Sequence, residues 1–360
     1  MIINKIPDIH ISFPDSKVGA ISPSAYNNIC WYPFVFRRFA QSKFGDEYRK
    51  LLIPSLSRHQ YLGTIIHELF ERRVHGLVPD KATYLSMWSE LITKKEKEIL
   101  ELYPSLSFFD LTDYNKMYSS CLSAMNIKPI EIGNQQHTGI HKCTEVKVSY
   151  EDLILGYIDK VAFIHEDSEI IDYKSGSILD DNNNIKEIYI NQLNLYAICY
   201  ENSFNRKVVK LTIVQTDTMT EYDVPILRDD YISMIDQIKN KVSAINKHIL
   251  NNTIENIQIL HEHCKYCEIR HLCDAYINSN LREKYFVIGD VIECSNRGVL
   301  LLRDLYGEAI SISKWTDLYQ LDLIGKRFAF TNVLQPVDGI YKKTDRTIVY
   351  ELPKTNIHKN

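Results

Sequence analysis

The chain has 360 residues, a formal net charge of −4, 45% hydrophobic residues and 24% charged residues. Its length exceeds that of one ordinary domain, and its composition excludes a disordered or low-complexity chain. The slight negative charge argues against a protein coated in basic residues, although Arg37-Arg38, Arg72-Arg73 and Lys94-Lys95 remain available to phosphates.

No apolar run approaches the roughly 20 residues needed to cross a bilayer, and the start Met1-Ile2-Ile3-Asn4-Lys5 lacks the apolar core of a signal peptide. A cytoplasmic location is therefore the default expectation. In that compartment the eight cysteines are not expected to form disulfides, so their spacing carries the information.

The first twenty residues carry little pattern and read as a surface strand or coil. At residues 22–30, Ser22 suits an N-cap and Pro23 a first helical position, while Tyr26 and Cys30 share a face; Cys30 is thus expected late in a short helix. Residues 58–76 read as a helix with Leu62, Ile66 and Leu69-Phe70 on its buried side. Gly63, His67 and Glu71 form its polar stripe, where Gly63 would admit a close backbone and neutral His67 is a possible metal ligand. Two further helices, over 80–102 and about 111–125, look like scaffold.

A strand over 144–150 alternates Glu145, Lys147 and Ser149 with Val146 and Val148, placing Glu145 either toward a metal or toward solvent. Next come Gly156-Tyr157-Ile158-Asp159 and Ile170-Ile171-Asp172-Tyr173-Lys174, two short apolar runs that read as a β-hairpin. A two-residue turn at His165-Glu166 would place Asp159 opposite Asp172. Asp172 and Lys174 then project from one face. Two carboxylates that close repel one another, so the arrangement calls for a divalent cation. Taken alone, Asp-x-Lys reads equally as a solvated strand edge with a loose ion pair.

Beyond a polar loop over 175–184, residues 188–200 form a predicted helix with Gln192 and Tyr196 on one face. A buried strand follows at 208–215. A helix over 229–250 has Ile235, Ile238, Val242, Ile245 and Ile249 as a packing seam. Then Cys264-x-x-Cys267 is followed, with five residues between, by Cys273. Three thiolates need a fourth ligand to complete either a tetrahedral zinc site or a [4Fe-4S] cluster. Cys30 is the distant candidate, and His261, His263 and His271 keep a Cys3His zinc site open. Cys121, Cys143, Cys199 and Cys294 read as structural. From 284 to 353, five β-like runs with Gly- and Asp-rich turns predict a small barrel, OB-like or SH3-like, in which Tyr306, Trp315 and Tyr341 are either core or base-stacking residues. The expected division is a large domain over 1–280 and a barrel over 284–353.

In their order, these pieces resemble the RecB-like branch of the PD-(D/E)XK nuclease superfamily, particularly its iron-sulfur members, the AddB nuclease module and the CRISPR-associated RecB-like exonucleases. The similarity spans roughly 22–274. Its carriers are Gly63 with His67, Gly156 with Asp159, Asp172 with Lys174, and Gln192 with Tyr196, flanked by one cysteine before, Cys30, and three after, Cys264, Cys267 and Cys273. Members often place proline directly after the first cysteine, whereas here Pro33 comes three positions on.

The resemblance implies an α/β restriction-endonuclease-like fold, a central mixed sheet flanked by helices. It implies Mg²⁺ or Mn²⁺ held by His67, Asp159, Asp172 and the Tyr173 carbonyl, with Lys174 positioning water or offsetting charge. It also implies Gln192 and Tyr196 on the DNA backbone and a [4Fe-4S] cluster on the four cysteines. The expected activity is DNA hydrolysis, on single strands or free ends, in repair, recombination or anti-phage defence. The competing expectation is a non-catalytic DNA-binding or scaffold subunit beside a helicase or defence-complex partner. A glycosidase-like acid–base pair fits poorly with a lysine beside the carboxylates.

Overall fold

The computed structural model describes residues 3–6, 16–40, 42, 58–102, 114–115, 118, 122, 125, 144–216, 218–279, 286–315, 322–337, 339–344 and 347–353. Strand β1 is Ile3–Lys5. A single 3-10 turn at Pro23–Ala25 precedes helix α1, over 32–40. The helix expected over 22–30 is therefore only one turn, and Cys30 sits ahead of a helix rather than late in one. Side-chain bonding competes with helix here: Ser22 Oγ meets Ser24 Oγ at 2.9 Å, and Asn27 bonds to Ile188 O and to Asn191.

Helices α2 (Arg58–Val74) and α3 (Lys81–Leu102) follow. Leu62, Ile66, Leu69 and Phe70 of α2 pack with Tyr84, Trp88, Ile92 and Ile99 of α3 in one cluster. The helix expected over 111–125 falls mostly outside the described residues, as do Cys121 and Cys143.

The first sheet is β2 (Thr144–Tyr150), β3 (Ile154–Ile164), β4 (Asp167–Lys174), β5 (Val208–Gln215) and β6 (Thr220–Val224), hydrogen-bonded in that order. Only β4 and β5 run parallel. A parallel neighbour demands a crossover, which helix α4 (Glu187–Phe204) supplies. Helix α5 (Tyr231–Leu250) packs beside α4, with the predicted seam Ile235, Ile238, Val242, Ile245 and Ile249 buried. One face of the sheet shares a core with α4 and α5, whereas Ile171, Tyr173 and Val214 join α2 and α3 on the other. The result is a mixed sheet between helical layers, as expected of a restriction-endonuclease-like domain.

The C-terminal segment departs from expectation. Strands β7 (Phe286–Cys294), β8 (Leu300–Asp304), β9 (Ala309–Ser313), β10 (Arg327–Thr331), β11 (Leu334–Val337), β12 (Ile340–Lys342) and β13 (Ile348–Leu352) join β1 in an eight-stranded sheet. Its order is β1-β13-β10-β7-β8-β9-β12-β11, and among the described residues no pairing closes it. The five-stranded barrel is thus replaced by an open sheet whose edge strand β1 comes from the N-terminus, parallel to β13.

Both faces of this sheet are covered. Val287, Val291, Phe328, Phe330 and Val349 form one core with Trp315, whereas Phe286, Ile288, Ala329, Ile348 and Tyr350 join the core of the first sheet and helices α4 and α5. Trp315 is buried, so its core reading holds over its stacking one, while Tyr306 is exposed. No described helix is long and apolar enough to cross a membrane.

Candidate metal-dependent active site

The β3–β4 hairpin closes as the spacing predicts. Its turn is His165-Glu166, with His165 at φ 55°, and the paired residues run from Ile164↔Asp167 to Lys160↔Ile171. The next rung in this register sets Asp159 opposite Asp172. The Tyr173 backbone N–H donates to Asp159 Oδ2 at 2.8 Å, fixing that carboxylate against β4.

Lys174 Nζ lies 2.8 Å from Asp172 Oδ2, and Asp172 is almost fully buried. From α2, His67 Nδ1 reaches within 3.6 Å of Asp159 Oδ2. The structure therefore brings His67, Asp159, Asp172 and Lys174 together. Tyr173 turns its ring away, edge-on to Phe70 at 5.3 Å, which leaves its backbone at the site.

The backbone is irregular here. Val146 pairs with Ile158, Val161 pairs with Ile170, and all four share one core, so the in–out alternation of β3 slips between Ile158 and Val161. Opposite the slip stands Glu145, at φ 48°. A left-handed backbone at a residue with a Cβ costs about 1–3 kcal/mol and clusters at functional sites. Such slips re-aim side chains.

Electrostatics expose what the site lacks. Burial, and then the Asp172 charge, raise the Asp159 pKa well above the ordinary carboxylate value, against the lowering effect of the Tyr173 N–H; Glu145 adds to the rise. Two carboxylates in this setting cannot both ionise readily without a cation. Burial lowers the His67 pKa against the raising effect of Asp172, with Lys174 adding to the fall, which favours the neutral imidazole. For Lys174, burial works to lower the pKa, but the charges of Asp172 and Asp159 outweigh it and the value ends raised. The lysine stays an ammonium.

The donor set of carboxylate oxygens, a backbone carbonyl and one neutral imidazole suits Mg²⁺ or Mn²⁺. Among the described residues no three His, Cys, Asp or Glu side chains already stand at the spacing of ligands around one ion.

Helix α4 closes one side of the site. Gln192 and Tyr196 are buried, bonded to each other, and within the field of Asp172 and Asp159. Burial, then those carboxylates, raise the Tyr196 pKa, so the phenol keeps its proton. Gly156 makes room for this approach: a Cβ there would lie 2.8 Å from Tyr196 Cε1 and 2.9 Å from Pro23 Cδ. Gly63, expected to admit a close backbone, would meet only Ser175 Oγ at 3.8 Å.

Tyr189, which is not among the expected site residues, carries the Lys174 ammonium 5.5 Å above its ring. Its spacing from Gln192 and Tyr196, at i−3 and i−7 on the same helix, was the available signal.

The cysteines lie apart from this site. Cys30, Cys264, Cys267 and Cys273 line one cavity of about 620 Å³. The Ile259 N–H donates to Cys30 Sγ at 3.5 Å, and Cys264 Sγ lies 3.7 Å from Ile259 O, so one residue touches both distant thiols. Burial holds the Cys267 thiol up at about 11 and the Cys273 thiol at about 12, and the other cysteines of the group add to both. All four are free thiols.

His271 is buried and stacks on Tyr350 at 3.7 Å. His261 and His263 also line the cavity. Cys199 is buried in the core, in keeping with its structural reading.

A family model described as the PD-(D/E)XK nuclease superfamily matches residues 20–274, more than half of the chain. No curated protein matches the sequence.

Proposed function

The chain belongs to the PD-(D/E)XK nuclease superfamily, and from that premise we propose that it is a metal-dependent DNA nuclease of the RecB-like branch, acting on single strands or free ends. The observation that carries the reading is the β3–β4 rung, where Asp159, Asp172 and Lys174 meet, with His67 reaching in from α2.

A bound Mg²⁺ or Mn²⁺ would act as Lewis acid on the scissile phosphate and lower the pKa of the attacking water. Asp159, Asp172, neutral His67 and the Tyr173 carbonyl would hold it. The Tyr173 N–H fixes one oxygen of Asp159 and leaves the other for binding. Lys174, kept protonated and steered by Asp172 and the Tyr189 ring, would orient the nucleophile and offset charge growing on phosphate oxygen. Gln192 and the protonated Tyr196 are donors suited to a phosphodiester backbone, which positions a strand without reading bases.

Cys30, Cys264, Cys267 and Cys273 line one cavity and are the four-thiol set that would hold a [4Fe-4S] cluster, with structural zinc as the alternative.

The test is purified protein, handled anaerobically, on end-labelled single- and double-stranded DNA and RNA with Mg²⁺ or Mn²⁺. DNA cleavage that EDTA stops, and that Lys174→Ala abolishes, is expected. DNA binding with no cleavage under either ion overturns the catalytic reading and leaves a scaffold role.

A further inference from the structure

The cysteine cavity has a wall that the nuclease motifs do not supply. Thr331, Ile348 and Tyr350, from β10 and β13 of the second sheet, line it together with the four cysteines. They share the sheet face of Ala329 and Leu352, which is packed into the same core as Cys264 and Cys273. Two neighbouring contacts fasten this wall. Arg270 donates to Cys267 O at 3.0 Å and to Asn332 Oδ1 at 3.3 Å, and the buried His271 ring lies flat on Tyr350, with centroids 3.7 Å apart and planes 9° apart.

One atom of the wall stands out. Thr331 is 3% exposed and its Oγ1 has no hydrogen-bond partner among the described residues. A buried hydroxyl without a partner costs roughly 1–3 kcal/mol, so it calls for an acceptor beyond those the described residues supply.

We infer that the C-terminal sheet is the built-in cover of the cysteine centre, and that Thr331 donates its hydroxyl hydrogen to a sulfur of that centre. The inference rests on the iron-sulfur reading. It changes the role of the second sheet from an appended nucleic-acid binder to the part that seals the centre, with Thr331 as a positioning residue. A hydrogen bond to sulfur stabilises negative charge there, more in the reduced cluster than in the oxidised one, and so raises the reduction potential.

The experiment uses the full chain, purified anaerobically, with Thr331→Val and Thr331→Ser. Iron and sulfide content, the visible spectrum and the midpoint potential are measured for each. Thr331→Val removes a hydroxyl with no partner among the described residues while keeping the side chain's shape, so a purely structural role predicts unchanged or improved stability and an unchanged potential. The expected result is unchanged iron and sulfide in all three proteins, a potential shifted negative in Thr331→Val, and recovery toward wild type in Thr331→Ser. Equal potentials in wild type and Thr331→Val, with the cluster present in both, overturn the inference alone. Wild-type protein without iron and sulfide overturns the cluster reading beneath it.

Discussion

The oxygen-rich and sulfur-rich centres are built in opposite ways. The first stands on two adjacent strands and a helix: the β3–β4 hairpin brings Asp159, Asp172 and Lys174 together at a local irregularity of β3, and α2 adds His67. The second stands on loops and 3-10 turns, with Cys30 ahead of α1 and the other three thiols in a segment that the second sheet covers. Register places reacting groups accurately while leaving a surplus of buried negative charge. Loop-borne thiols are held only by what they bind and by what packs over them. The first site should therefore lose activity without losing the fold when altered, and the second should do the reverse.

The largest stability effect is expected from Cys273→Ser. Losing one thiolate from a centre that joins residues so far apart in sequence removes a constraint on a long loop. Chelator-sensitive visible absorption should vanish, and the melting temperature should fall by more than any substitution at the oxygen-rich site causes. A Cys273→Ser protein that melts like wild type would break the contrast.

Gly156→Ala comes next. The added Cβ would lie inside contact distance of both Tyr196 and Pro23, and crowding of this kind costs about 1–3 kcal/mol. Denaturant unfolding should show that loss, and DNA affinity should fall with it as Tyr196 is displaced.

A pH effect sharpens the account of the carboxylates. Asp159 has its folded pKa raised by burial and by Asp172, so in metal-free protein its contribution to stability is full below the ordinary carboxylate value of 3.8 and is lost as pH rises through the raised one. Asp159→Asn should remove that loss. Relative to wild type, the metal-free variant should gain stability between about pH 4 and neutrality, and the gap should shrink when Mg²⁺ is added. Melting curves of both proteins across that range, with and without Mg²⁺, decide it. A constant gap would show that no raised carboxylate is present.

The smallest effect is Arg37→Ala. Its partner is Glu268, between two of the cavity cysteines, but the arginine side chain is 51% exposed. Such an ion pair contributes about 0–1 kcal/mol, so stability should move by no more than that and the cysteine centre should stay intact.

How much of this was legible in the sequence follows the same division. The approach of Asp159 to β4 could be read because a two-residue turn sets the register as far as Lys160↔Ile171, one residue short of Asp159 and Asp172. Local signals placed the apolar face of α2 and the seam of α5 for the same reason. The sequence does not place Cys30 because Asn27 takes side-chain bonds to Ile188 and Asn191, far along the chain, over helix, a choice that only the fold decides.

The open sheet was missed because its edge is Ile3–Lys5, three residues with no pattern that pair with β13 across the whole length of the chain. Gly63 and Gly156 look alike in sequence, yet only Gly156 has neighbours that require the missing side chain. Glu145 in its left-handed conformation and Tyr189 beneath Lys174 belong to the site through tertiary geometry.

The most direct test of the central claim is the single-turnover cleavage rate of end-labelled single-stranded DNA by wild type and Asp172→Ala, in Mg²⁺, with melting temperature and visible spectrum recorded on the same samples. A fall of about a thousandfold or more is expected, with both physical signatures unchanged. Cleavage by Asp172→Ala at a rate near that of wild type would contradict it.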